Sequence, residues 1–189
     1  AFNERDEAKF IVDIIKSWVD EGRNLSECAI IYRSNAQSRI LEDSILRAEL
    51  PYRIYGGVRF YERLEIKNAL SYAKLAIDNE NDTAFERIIN VPSRGIGAKT
   101  MDQIRELARE NSLSLWSAAE KLSENSGPKV SNALKEFFSA IDKISHIANN
   151  KEIEEFFEKL LDLSGLKEFH GKEPGEKGRS RVENLEELV

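Results

Sequence analysis

The sequence predicts an α/β segment followed by a mainly helical domain. Three observations carry that expectation. Two short apolar runs of strand type, Cys28-Ala29-Ile30-Ile31-Tyr32 and Tyr52-Arg53-Ile54-Tyr55, flank a stretch with helical spacing. Strand, helix and strand in so short a span is the pattern of a βαβ unit with parallel strands. Gly56-Gly57 then breaks the pattern, and every apolar repeat beyond it has helical spacing. The expected domains are 1–56 and 57–189, the second cut short at its C-terminus.

Each element has a local reason. Phe10, Ile11, Ile14, Ile15 and Trp18 fall at helical spacing over 6–21, and Gly22 stops that helix. Over 37–48, Ile40, Leu41, Ser44, Ile45 and Ala48 share one face, and Pro51 ends the segment. The remaining helices are expected at 62–78, 83–90, 98–110, 114–123, 128–148, 151–163 and 181–189. Thr83-Ala84-Phe85-Glu86 and Ser180-Arg181-Val182-Glu183 match the capping box that opens a helix. Gly165 to Arg181 holds Gly171, Pro174, Gly175 and Gly178 among charges and reads as a mobile loop. Trp116 and the aromatics Tyr52, Tyr55, Phe60, Tyr61 and Tyr72 read as core rather than as a base-stacking set.

Composition narrows the classes. The chain has 189 residues and a net charge of −6. No apolar run is long enough to span a membrane, and the first apolar run is broken by Asp13 and Lys16, unlike a signal peptide. The lone cysteine, Cys28, forms no internal disulfide and suits a reducing, cytoplasmic setting. His146 and His170 lie far apart, so no metal site is visible and no catalytic constellation stands out. The charge is uneven: residues 1–50 carry −3 and 111–189 carry −4, whereas 51–110 carry +1. The middle third is the only part that is not acidic, a modest polarity and not a strong basic patch. Ala1 is not Met, and Val189 falls inside a helical pattern, so the chain reads as a piece of a longer protein.

The most informative stretch lies in that middle third: Asn90-Val91-Pro92-Ser93-Arg94-Gly95-Ile96-Gly97-Ala98-Lys99-Thr100. A short helix ends in a Pro-containing turn, two glycines bracket one aliphatic, and a second helix begins. Glycines allow a tight turn and a close approach by another backbone. The first amides of the second helix have no helical acceptor and sit at the positive end of its dipole, which suits a phosphate oxygen. Arg94 and Lys99 add charge on either side. The pattern resembles the hairpin of helix-hairpin-helix modules, which grip the DNA backbone without reading bases. A plain helix-helix turn with no ligand fits the same residues. A second candidate follows the first expected strand, where Arg33, Ser34, Asn35 and Gln37 could meet phosphate or could simply cap the next helix.

Longer blocks then extend the resemblance over essentially the whole chain. Ala29-Ile30-Ile31-Tyr32-Arg33-Ser34-Asn35-Ala36-Gln37-Ser38-Arg39, Pro51-Tyr52-Arg53-Ile54-Tyr55-Gly56-Gly57-Val58-Arg59-Phe60, Glu65-Ile66-Lys67-Asn68-Ala69-Leu70-Ser71-Tyr72, the Pro92–Gly97 turn and Glu183-Asn184-Leu185-Glu186-Glu187-Leu188 resemble the superfamily 1 DNA helicases of the UvrD/PcrA/Rep type. The resemblance implies that residues 1–56 are part of a RecA-like motor subdomain (2A). Residues 57–189 would be most of the helical 2B subdomain, with a helix-hairpin-helix-like turn. It implies single-stranded DNA contacts at Arg33 and Asn35. It implies duplex contacts at Arg94, Gly95, Ile96, Gly97, Lys99 and Thr100, and a hinge at Gly56 and Gly57, within about residues 55–62, on which 2B swivels.

The implied parent is an ATP-dependent 3′-to-5′ DNA helicase that uses ATP and Mg2+ in repair or replication, with DNA and repair or replication proteins as the implied partners. No Gly-x-x-x-x-Gly-Lys-Ser/Thr occurs in this chain, so no nucleotide cradle and no ATP hydrolysis are expected from it alone. Two other readings remain: a protein-interaction or autoregulatory module, and part of a helicase–nuclease subunit.

Overall fold

The structure is a computed structural model that describes residues 3–33, 37–55, 57–148 and 152–189. It divides into two compact units, Ala1–Arg63 and Leu64–Val189; the sequence had placed the boundary after residue 56.

In the first unit, α1 (Glu4–Asp20) packs against α2 (Ser38–Arg47). Asn3 caps α1 by accepting from the Asp6 amide at 2.8 Å, and Ala8 and Val12 form its buried face. The expected βαβ segment is absent: among the described residues there is no strand, and no RecA-like sheet. Cys28 is extended, with φ −95° and ψ 135°, but the runs 28–32 and 52–55 form no ladder. A strand exists only when its amides and carbonyls find a paired neighbour. Propensity for strand is largely a preference for a paired, half-covered surface. Here Ile31 is 94% exposed and Tyr55 84%, so neither run has a layer to pack on.

What organises this unit is a buried carboxylate that hydrophobic patterning does not reveal. Glu42, on α2, accepts from Ser38 Oγ at 2.8 Å, from Tyr52 OH at 3.0 Å and from the Phe60 amide at 3.2 Å. Arg63 donates to Ser38 Oγ at 2.7 Å. Burial and the Glu42 carboxylate push the Tyr52 phenol up to about 12.

Every regular element among the described residues of the second unit is a helix. It comprises α3 (Leu64–Ile77), α4 (Asp82–Ile88), α5 (Ala98–Asn111), α6 (Leu115–Asn125), α7 (Pro128–Ala148), α8 (Ile153–Ser164), α9 (Leu166–Gly171) and α10 (Glu176–Glu187). The central helix is α3, which packs against α4, α7, α8 and α10. Its apolar residues are buried on several sides, from Ile66 and Ala69 to Tyr72 and Leu75. On α7, Leu134, Phe137, Ile141 and Ile144 form a fully buried stripe. Phe137 meets Phe85 edge-on at 5.7 Å, and Trp116 lies 6.0 Å from it. Trp116, Phe60 and Tyr72 are thus core, whereas Tyr55 and Tyr61 are exposed.

Two local expectations are corrected. Asn81, not Thr83, caps α4, accepting from the Ala84 amide at 3.0 Å. The stretch read as a loop, 165–181, holds α9 and the first half of α10. Gly178 lies inside α10, where a Cβ would stand 2.3 Å from the Glu173 carbonyl oxygen and 2.9 Å from that of His170. The glycine there permits close packing of backbone on backbone, not mobility.

Candidate nucleic-acid interface

The Gly95 turn is built from the end of α4 outward. Asn90 Oδ1 accepts from the Arg94 amide at 2.8 Å and the Ile96 amide at 3.3 Å, closing the loop on itself. The Val91–Pro92 bond is cis. Gly95 has φ +74°, a left-handed conformation that glycine adopts without strain. Ile96 is buried and pins the turn to the core. Gly97 then caps α5 in an extended conformation, φ −89° and ψ −178°. The Ala98, Lys99 and Thr100 amides follow as the first-turn donors of a 14-residue helix.

The two glycines therefore have different reasons. The chain path requires glycine at 95. At 97 any residue could adopt the backbone, and a Cβ there would meet nothing within 4 Å. Gly97 is exposed. Nothing inside the protein demands its missing side chain.

The Arg94 side chain is turned into the protein. Its Nη1 donates to the carbonyls of Ile88 at 3.2 Å, Ile89 at 3.3 Å and Pro92 at 3.1 Å. Its Nη2 donates to Tyr72 OH at 2.6 Å, and Tyr72 OH in turn donates to the Val91 carbonyl at 2.7 Å. The guanidinium also lies over the Phe137 ring, 5.3 Å from its centroid. It neutralises the negative end of α4 and ties the turn to α3 and α7. Burial pushes the Tyr72 phenol up, against the opposing pull of Arg94.

The other predicted residues divide by exposure. Lys99 is exposed and forms no ion pair among the described residues, whereas Thr100 is buried. Sequence reasoning missed Lys129, in the first turn of α7, whose Cε stands 3.9 Å from where a Gly95 Cβ would be. It also missed Asn90 and the role of Tyr72. Only the fold brings Lys129 and Tyr72 to the turn, so no local motif announces them, whereas Asn90 stands in the turn's own stretch and its bonds to the loop amides are local.

In the first unit Arg33 is exposed, and its amide donates to Gln37 Oε1 at 3.1 Å. Asn35 and Gly56 lie outside the described residues. Gly57 falls between Tyr52 and Phe60, both of which are bonded to Glu42.

Two of the quoted sequence blocks meet in the second unit. Asn184 on α10 donates to Glu65 on α3 at 2.6 Å, and Arg181 lies 3.7 Å from the same carboxylate. Arg181 also pairs with Glu173, which bonds His170 Nδ1 at 2.7 Å. The hydrogen bond from His170, followed by that from Arg181, holds the Glu173 carboxyl below its usual range. This cluster is structural: it fastens α10 to the core. Among the described residues no group of His, Cys, Asp and Glu is arranged to hold a metal ion, and no helix is long and apolar enough to cross a membrane.

Comparison with known proteins agrees with the resemblance. The family described as "UvrD-like helicase C-terminal domain" matches residues 1–126. The chain is 48% identical over 191 residues to DNA helicase II of Escherichia coli and 47% identical to that of Salmonella typhimurium. It is 37% identical over 190 residues to the ATP-dependent DNA helicase PcrA of Staphylococcus epidermidis. Each match covers 100% of this chain and 26% of the relative, so the chain spans about a quarter of their length.

Proposed function

The chain belongs to the UvrD-like helicase C-terminal domain family, and on that footing we propose that it is the DNA-gripping portion of an ATP-dependent 3′-to-5′ helicase or translocase of repair or replication. Its helical unit holds duplex DNA by the phosphate backbone at the Gly95–Thr100 turn. The observation that carries this reading is Gly97: an exposed glycine at the start of α5, unneeded by the fold, leaves the helix amides open to a phosphate. Backbone contacts of this kind position a protein on DNA without reading sequence. Titration of the chain with blunt duplex tests it. Binding is expected to be weak and sequence-independent, with a salt slope of about 2–4 for the few phosphates within reach. Equal affinity for duplexes and an uncharged polymer would end this reading.

ATP and Mg2+ belong to the whole helicase. This chain contains no Gly-x-x-x-x-Gly-Lys-Ser/Thr, and the nucleotide cradle is proposed to lie in the rest of the helicase. Arg33, exposed beside the Gln37 amide cap, is proposed to touch single-stranded DNA together with Asn35. In the full-length protein, Arg33→Ala is expected to lower strand-stimulated ATP hydrolysis several-fold, as loss of one charge-assisted phosphate contact predicts; unchanged stimulation would remove Arg33 from the site. Regulation by a swivel of the helical unit belongs to the same reading. Its pivot is proposed near the Arg63–Leu64 junction between the units, because Glu42 ties both flanks of Gly57 to α2. Spin labels at Arg47 and Ser112 would report it, and one narrow distance distribution, the same with and without DNA, would refute it.

A further inference from the structure

The basic residues flanking the turn divide into two kinds. Arg94 has its guanidinium committed to three carbonyls and the Tyr72 hydroxyl. Turning it outward would break its bonds to the Ile89 and Pro92 carbonyls and to the Tyr72 hydroxyl, which costs more than one screened phosphate contact returns. Lys129 is the opposite. It is exposed, forms no ion pair among the described residues, and lies against the bare Cα of Gly95. Lysine is a compact charge on a flexible stem and suits a phosphate as a point charge. Lys99, in the first turn of α5, is the other free cation of the turn.

We propose that Lys129 is a DNA-backbone contact of the duplex site, pairing with Lys99 across the Gly95–Gly97 turn, and that Arg94 is a positioning residue that never touches DNA. The inference rests on the reading of this turn as the duplex site. It assigns α7 a part in binding. A phosphate on the α5 amides meets cations from two helices, while Arg94 keeps the turn in the shape that presents those amides.

The test uses the full-length protein and a blunt DNA duplex without nucleotide, with affinity measured across a salt series. Lys129→Gln is expected to lower the slope by about 0.9, the value for one phosphate on B-DNA, and to leave thermal stability unchanged. Arg94→Gln is expected to weaken binding by the folded protein while keeping the wild-type slope. Arg94→Lys is expected not to rescue affinity, because an ammonium cannot span four acceptors. If Arg94→Gln fails to fold, Lys129→Gln decides alone, since its side chain supports no internal bond. A wild-type slope for Lys129→Gln overturns the proposal, as does a slope lowered by Arg94→Gln or full rescue by Arg94→Lys. Gly97→Val, measured alongside, separates the two levels: if it loses affinity while Lys129→Gln does not, only this inference fails. If it too keeps wild-type affinity, the turn is not the duplex site.

Discussion

Gly97→Val is expected to leave the fold intact and to weaken duplex binding by roughly ten- to a hundredfold, about 1.4–2.7 kcal/mol. The backbone at 97 lies at φ −89° and ψ −178°, a region where β-branched residues are at home. A Cβ there has no atom within 4 Å. The substitution strains nothing inside the protein, and its stability cost is that of a poorer N-cap on α5, about 1 kcal/mol, so the melting temperature should fall by only about 2–4 °C. The isopropyl group would instead occupy the space through which a phosphate approaches the Ala98, Lys99 and Thr100 amides. Gly95→Val could not serve as the same probe, because at φ +74° it would add backbone strain. Unwinding of a tailed duplex by the full-length protein should fall with affinity, while ATP hydrolysis on single strands should not. A folded Gly97→Val variant with wild-type duplex affinity would return the turn to a purely architectural role.

Gly178→Ala is expected to have the largest effect on stability, with a sign opposite to helix propensity. Glycine to alanine inside a helix gains up to about 1 kcal/mol on propensity alone. At 178 the added carbon would stand 2.3 Å from the Glu173 carbonyl oxygen, and backbone cannot swing away as a side chain can. Overpacking of that kind costs about 1–3 kcal/mol, toward the upper end here, and outweighs the gain. The loop between α9 and α10 must shift, disturbing the Glu173–Arg181 pair and the contact with Glu65. The melting temperature should drop by several degrees, at roughly 2–4 °C per kcal/mol for a domain of this size. Gly171→Ala is the control: its Cβ would only touch Val182 Cγ2 at 4.0 Å. Equal melting temperatures for wild type and Gly178→Ala would contradict the close packing of α10 on the segment before it.

These two glycines also show what could be read from the chain before its fold. Regular spacing of apolar residues located the long helices α1, α3, α5, α6 and α7, because each buries one stripe or, in α3, nearly its whole girth. The turn at 95–97 was legible because its chemistry is local. The two strands were not: propensity marked Cys28–Tyr32 and Tyr52–Tyr55, but pairing decides, and neither run is paired. Gly171 and Gly178 counted as loop signals in one dimension, yet Gly178 marks a close approach between backbone segments. Arg94 stands in the quoted motif yet faces inward, and this was hidden because the Tyr72 hydroxyl becomes its neighbour only after α3 and α4 pack. Lys129 and Glu42 escaped for the same reason. Each acts on residues far from it in sequence.

The central claim is that duplex DNA meets this chain at the Gly95 turn through backbone amides. Amide chemical-shift mapping of the isotopically labelled chain during titration with blunt duplex measures this most directly. The account predicts that the largest shifts fall on Gly95, Gly97, Ala98, Lys99 and Thr100, with Lys129 moving alongside them and all of them fading together as salt rises. Shifts concentrated elsewhere, with the amides of 95–100 unmoved at saturation, would contradict it.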